Sequence, residues 1–128
     1  MSAAIQHILV IDDNEAILES VAMVLRWNAL RVSTANKMDD FTQEVNAINP
    51  DLILLDKALG WADGCDLCAC LKRDTTTQHI GVIMVSAFHE VKESCLSAGA
   101  DGFLEKPFDI NELLQLVYSF TGQALWAV

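Results

Sequence analysis

Leu52-Ile53-Leu54-Leu55-Asp56 decides how this chain folds: four aliphatic residues in succession, then a carboxylate. A half-buried strand alternates apolar and polar residues, whereas an unbroken apolar run of this length fits a parallel strand covered on both faces. The pattern recurs. Ile8-Leu9-Val10-Ile11 runs into Asp12-Asp13, Val82-Ile83-Met84-Val85 ends at Ser86, and Gly102-Phe103-Leu104-Glu105 leads to Lys106-Pro107. As parallel strands, these runs deliver their polar end residues to the carboxyl edge of one sheet. In open α/β folds, ligands bind at that edge.

Helical periodicity fills the intervals. A first strand is expected over 6–11, followed by a helix over 14–27 in which Ile17, Leu18, Val21, Ala22 and Leu25 share one face. A short strand near 30–34 precedes a helix near 38–47 marked by Phe41, Val45 and Ile48, and Pro50 closes that connection. After the strand at 52–55, Asp63-Gly64 opens a third helix that reaches about residue 73. The remaining expectations are a strand at 81–85, a helix at 89–98 stopped by Gly99, a strand at 101–104, and a last helix to about 120 capped by Asp109. Successive βα units imply right-handed crossovers with helices on both faces. The fold class is α/β: a flavodoxin-like, doubly wound, five-stranded parallel sheet of order 2-1-3-4-5 with five helices. The whole of 1–128 reads as one domain, with a core over about 5–121 and a short tail at 122–128.

Composition narrows the function. Apolar residues make up 52% of the 128 and charged residues 20%, a globular balance. No apolar stretch approaches the roughly 18 residues of a membrane helix, and Met1-Ser2-Ala3-Ala4 offers no basic start for a signal peptide. A cytoplasmic location without membrane partners is therefore expected. A net charge of −10 with only eight Lys and Arg argues against nucleic acid, whose phosphates need clustered cations. Of the four cysteines, Cys65 and Cys68 share a helix face and Cys70 points elsewhere. They read as packing or half-exposed thiols rather than a disulfide framework or a redox motif.

Order 2-1-3-4-5 makes the first and third strands neighbours, about 4.8 Å apart, so Asp12, Asp13 and Asp56 would converge. Crowded carboxylates need a proton or a cation among them. Mg²⁺ suits such a site, because it takes a few protein oxygens, keeps waters and bridges to phosphate. A carboxylate is also a nucleophile towards phosphorus, and phosphoryl transfer needs little beyond positioning and charge neutralisation. Lys106 would supply a second positive charge and Ser86 a hydroxyl.

Over essentially its whole length the chain resembles the response-regulator receiver domains, the CheY-like family. The residues that carry the resemblance are Asp12-Asp13, Asp56, Asp63-Gly64, Ser86-Ala87, Gly99-Ala100-Asp101-Gly102-Phe103 and Lys106-Pro107-Phe108. The resemblance implies that Asp56 is the phosphoacceptor and that Asp12, Asp13, Asp56 and the main-chain carbonyl of Ala58 hold Mg²⁺. It also implies that Lys106 contacts the phosphoryl group and that Lys106-Pro107 is a cis peptide bond. Ser86 and Phe103 would form the switch: the hydroxyl moves towards the phosphoryl group, the ring fills the space, and the face of helix 4, strand 5 and helix 5 changes. A sensor histidine kinase or a phosphotransfer protein would donate the group, and a downstream protein effector would read that face. The chain would accept the group and lose it by hydrolysis without being a dedicated enzyme.

Two departures stand out. Gly60 occupies a position where the family usually has proline, and Trp61 after it either covers the pocket, anchors a partner or folds onto the third helix. Ala58 and Phe88, two residues after Asp56 and Ser86, cannot orient a water, so a long-lived acyl phosphate is expected. The competing reading is a receiver-like interaction module that works without phosphorylation. A haloacid-dehalogenase-like phosphatase would need a D-x-D arrangement where Asp12-Asp13-Asn14 stands. In a flavodoxin-type carrier the same aspartates would repel the FMN phosphate.

Overall fold

The computed structural model describes residues 7–121. Its elements are β1 (His7–Ile11), α1 (Glu15–Trp27), β2 (Arg31–Ala35), α2 (Phe41–Ile48), β3 (Leu52–Asp56), α3 (Gly64–Arg73), β4 (Gly81–Ser86), α4 (Lys92–Ser97), β5 (Gly102–Glu105) and α5 (Ile110–Thr121). A single 3₁₀ turn, His89–Val91, precedes α4. The strands form one parallel sheet in the order β2-β1-β3-β4-β5, as the sequence implies.

Because side chains alternate across a strand, each strand feeds two cores. Ile8, Val10, Leu52, Leu54, Ile83 and Val85 face α1 and α5, where Leu18, Leu25, Leu113 and Val117 close the layer. Leu9, Ile11, Ile53, Leu55, Val82 and Met84 face the opposite layer, with Val45 of α2, Leu71 of α3 and Cys95 of α4. Two buried faces explain why these strands carry no polar alternation. Register then fixes the edge: Ile11 lies beside Leu55, and Asp56 beside Val85, so the residues following β1 and ending β3 come out side by side.

The structure corrects several boundaries. The second helix begins at Phe41, because Asp40 caps it by accepting from the Gln43 N–H at 3.3 Å while Glu44 accepts from the Asp40 N–H at 2.8 Å. Met38 stays outside that helix as a buried plug. The fourth helix is split into the 3₁₀ turn at His89–Val91 and α4 from Lys92, and neither start has a side-chain cap. Hydrogen-bonded pairing carries β3 through Asp56, β4 through Ser86 and β5 from Gly102 through Glu105, beyond the purely apolar runs. The first helix starts at Glu15, with Asn14 as its cap. Gly99 does end α4, with φ at +106°, a backbone conformation that side chains disfavour. The expected tail at 122–128 lies outside the described residues.

Gly64 fixes the distance between α3 and the end of β3. A Cβ there would collide with the main-chain oxygen of Asp56 and lie 2.8 Å from Lys57 Cα and 2.9 Å from Met84 Cε. Its N–H donates to the Lys57 carbonyl at 2.7 Å. Overpacking of this kind costs about 1–3 kcal/mol. Gly64→Ala is expected to destabilise by about 2 kcal/mol or more in urea unfolding, whereas an unchanged midpoint would mean the close approach is not needed.

Candidate functional site

The carboxyl edge gathers groups that are remote in sequence. Asp12 and Asp56 are buried, 4% and 6% exposed, while Asp13 is open to solvent. One carboxylate oxygen from each of the three lies within 4.8 Å of the others. That separation suits a shared hard cation with oxygen ligands, so the donor set fits Mg²⁺.

Each carboxylate is oriented from its own loop. Asp12 accepts from the Asn14 N–H at 2.9 Å, and Asn14 in turn caps α1 by accepting from the Ile17 N–H at 3.2 Å. Asp56 accepts from the Ala58 N–H at 3.3 Å, and a lone antiparallel bridge to Asp63 steadies Ala58. Lys106 closes the site from the end of β5. Its Nζ donates to Asp12 Oδ2 at 2.9 Å and to Asp56 Oδ2 at 3.3 Å, while its N–H donates to the Ser86 carbonyl at 2.7 Å. The peptide bond to Pro107 is cis.

The electrostatics follow from crowding. Burial raises the Asp56 pKa first, the neighbouring Asp12 charge adds to it, and Lys106 opposes both. Burial works against the Lys106 charge, but its bond to Asp12 and the Asp56 charge outweigh that and raise its pKa. The ammonium is thus held charged between two carboxylates, one of which takes up a proton more readily than usual.

The two residues expected to form a switch lie to one side. The Ser86 hydroxyl is buried and serves its own loop, accepting from the Phe88 N–H at 3.0 Å. Phe103 sits on β5 opposite Met84, half-buried against the layer of α2, α3 and α4. Phe88 is 59% exposed and Ala58 is also exposed.

Sequence reasoning missed two contacts around the pocket. The Gly60 N–H donates to Asp13 Oδ2 at 3.1 Å, a bond that proline could not make because it has no N–H. The glycine itself was the available signal. The indole N–H of Trp61 donates to the Asn36 carbonyl at 2.9 Å, and the Asn36 amide donates to Glu15 at 2.6 Å. Trp61 therefore ties the loop after β3 to the loop after β2, with its ring packed on the core beneath.

Comparison with known proteins agrees with this arrangement. The family model for the response regulator receiver domain matches residues 8–118. The DNA-binding dual master transcriptional regulator RpaA of Synechocystis sp. is 37% identical over 115 residues, covering 87% of this chain and 47% of that protein. The phosphate regulon transcriptional regulatory protein PhoB of Escherichia coli is 36% identical over 111 residues, covering 85% and 48%. The chain thus spans about half the length of these curated relatives. Among solved structures, the receiver domain of the sensor histidine kinase PA1611 from Pseudomonas aeruginosa has a magnesium ion coordinated in its active site cleft. It superimposes with a TM-score of 0.81 at 25% identity, covering 94% of this chain and 100% of that one.

Receiver domains of this family bind Mg²⁺ in an acidic pocket and interact with histidine kinases and effector domains. Among the described residues here, no helix is long and apolar enough to cross a membrane. A match running over nearly all the described residues leaves one conclusion: the chain belongs to the response regulator receiver domains, homologous to the phosphorylatable regulators of two-component systems.

Proposed function

We propose that Asp56 accepts a phosphoryl group from a sensor histidine kinase or a phosphotransfer protein, and that the modification changes protein binding at the face made by α4, β5 and α5. The observation that carries this reading is the trio of carboxylates within 4.8 Å of one another, with the Lys106 ammonium bonded to two of them. Asp12, Asp13, Asp56 and the Ala58 carbonyl would hold Mg²⁺, which supplies positive charge to the phosphoryl oxygens. An Asp56 oxygen attacks phosphorus, the phosphorus–nitrogen bond of a phosphohistidine breaks, and its electron pair stays on the imidazole. Lys106 exchanges its Asp56 contact for a phosphoryl oxygen.

The switch would follow from competition for Ser86. Its hydroxyl now donates to the Phe88 carbonyl at 3.4 Å while accepting from the Phe88 N–H, and a charged phosphoryl oxygen is a stronger acceptor than that neutral carbonyl. As the hydroxyl moves, Phe103 would gain room to turn inwards. A groove lined by Phe103, Leu104, Glu112, Gln115 and Leu116 lies on the same side, so a turned ring would reshape it. Two pre-existing packings then shift in population. The convergence of Asp12, Asp13, Asp56 and Lys106 supports this reading over the phosphorylation-independent alternative.

Incubation with Mg²⁺ and a small phosphodonor, followed by intact mass and peptide mapping, is expected to place one phosphoryl group on Asp56. Label on another residue would overturn the assignment. With no side chain to orient a water at Ala58 or Phe88, that label should also outlast the label on an Ala58→Asn variant.

Mg²⁺ alone should stabilise the protein. At a hundredfold excess over its dissociation constant the gain is about 2.7 kcal/mol, read as a higher Tm that chelation reverses. Asp12→Asn should lose most of that gain.

Stability in the metal-free protein should depend on pH through Asp56. A carboxyl whose folded pKa lies above its unfolded value weakens the fold once it ionises. The cost is fully present above the folded pKa and disappears below the ordinary value near 4. Asp56→Asn is therefore expected to raise the urea midpoint at neutral pH, with the difference closing as pH falls below about 4. An equal difference at all pH values would contradict the raised pKa.

A further inference from the structure

We propose that Cys65 and Cys95 are an oxidisable pair whose disulfide fastens the first turn of α3 to α4, a modification site built from thiols. Their sulfur atoms lie 3.0 Å apart although the residues are 30 positions apart in sequence. A disulfide needs about 2.05 Å, so the sulfurs must close only about 1 Å. The other two cysteines stand aside: Cys68 is buried and Cys70 is exposed beside Arg73.

The two thiols differ in exposure. Cys65 is half-buried and meets solvent, whereas Cys95 is fully buried. Burial, and then the contact with Cys65, push the Cys95 thiol up to about 12. The Lys57 ammonium, bonded to Asp63 at 2.7 Å, acts electrostatically on both sulfurs. Cys65 is the sulfur of the pair that solvent reaches, so an oxidant meets it first.

Hydrogen peroxide is the two-electron oxidant. The Cys65 sulfur attacks one peroxide oxygen and the O–O bond breaks. Cys65 becomes a sulfenic acid, and the released hydroxide takes the thiol proton to form water. The Cys95 sulfur then attacks the Cys65 sulfur, the S–O bond breaks, and the departing hydroxide leaves with the Cys95 proton as a second water. Two thiols and one peroxide give one disulfide and two waters.

The consequence lies in α4. This helix spans only Lys92–Ser97, starts without a side-chain cap, and Cys95 is its one buried residue. A bond at Cys95 would make the main attachment of α4 covalent. That this would alter partner binding rests on the reading of the α4 face given above; the thiol chemistry does not.

The test treats the reduced full chain with hydrogen peroxide, alkylates it after denaturation, and maps it without reduction. Expected are an intact mass lower by two hydrogens, one cross-linked peptide pair holding Cys65 and Cys95, and alkylated Cys68 and Cys70. Amides of α4 should exchange at least about tenfold more slowly in the oxidised protein. Cys65→Ser should abolish both effects and Cys70→Ser neither. Asp56→Asn should oxidise like the wild type, so loss of the phosphoryl reading would leave this result standing. A Cys65–Cys68 bond, a Cys70-linked dimer, oxidation of Cys65 past the sulfenic acid, or unaltered α4 exchange would overturn the proposal.

Discussion

The Lys106 ammonium lies 2.9 Å from Asp12 and 3.3 Å from Asp56, and these three groups meet across strands that are far apart in sequence. Two carboxylates this well buried repel each other and have lost much of their hydration, so the fold tolerates them because a cation stands between them. Every nearby feature serves that arrangement. The Lys106 main chain is pinned to the Ser86 carbonyl, the Lys57 main chain to the Val85 carbonyl, and Asp12 to the β2 edge through the Ala35 carbonyl. The sheet is what brings the charges together, and the charges are what give its edge a chemistry.

That chemistry is unfinished without further positive charge. Among the described residues, three acidic groups face one lysine, and Asp13 accepts from the Gly60 N–H. The site is therefore predisposed towards a divalent cation and towards a phosphoryl group that such a cation and Lys106 would share. Burial, and then the neighbouring Asp12 charge, raise the Asp56 pKa in the metal-free protein, so stability and reactivity at this edge have a common electrostatic origin.

Much of this was legible in the sequence because the strands are covered on both faces. Ile8–Ile11 and Leu52–Leu55 carry no polar interruption, and only a sheet interior between two helical layers accounts for that. Asp12, Asp56 and Lys106 could be read from their places at the ends of such runs, and the family resemblance added their roles. Helix starts were less legible. Met38 looks helical but fills the core ahead of α2, and α4 has no capping side chain to mark its first residue. Contacts made by tertiary packing left no local trace. The Cys65–Cys95 approach joins two helices and has no signature in sequence spacing, whereas the visible spacing is that of Cys65 and Cys68. The Gly60–Asp13 bond depends on the fold bringing a β3 loop to a β1 loop, and the Trp61–Asn36 bond likewise spans two loops.

The claim that carboxylate crowding makes Asp56 reactive towards phosphorus is tested most directly by fluorine NMR with beryllofluoride, a tetrahedral stand-in for a phosphoryl group on a carboxylate. Bound fluorine signals are predicted when Mg²⁺ is present and Asp56 is intact, and neither chelated protein nor Asp56→Asn should give them. Signals that persist without Mg²⁺, or that survive the loss of the Asp56 carboxylate, would contradict the account.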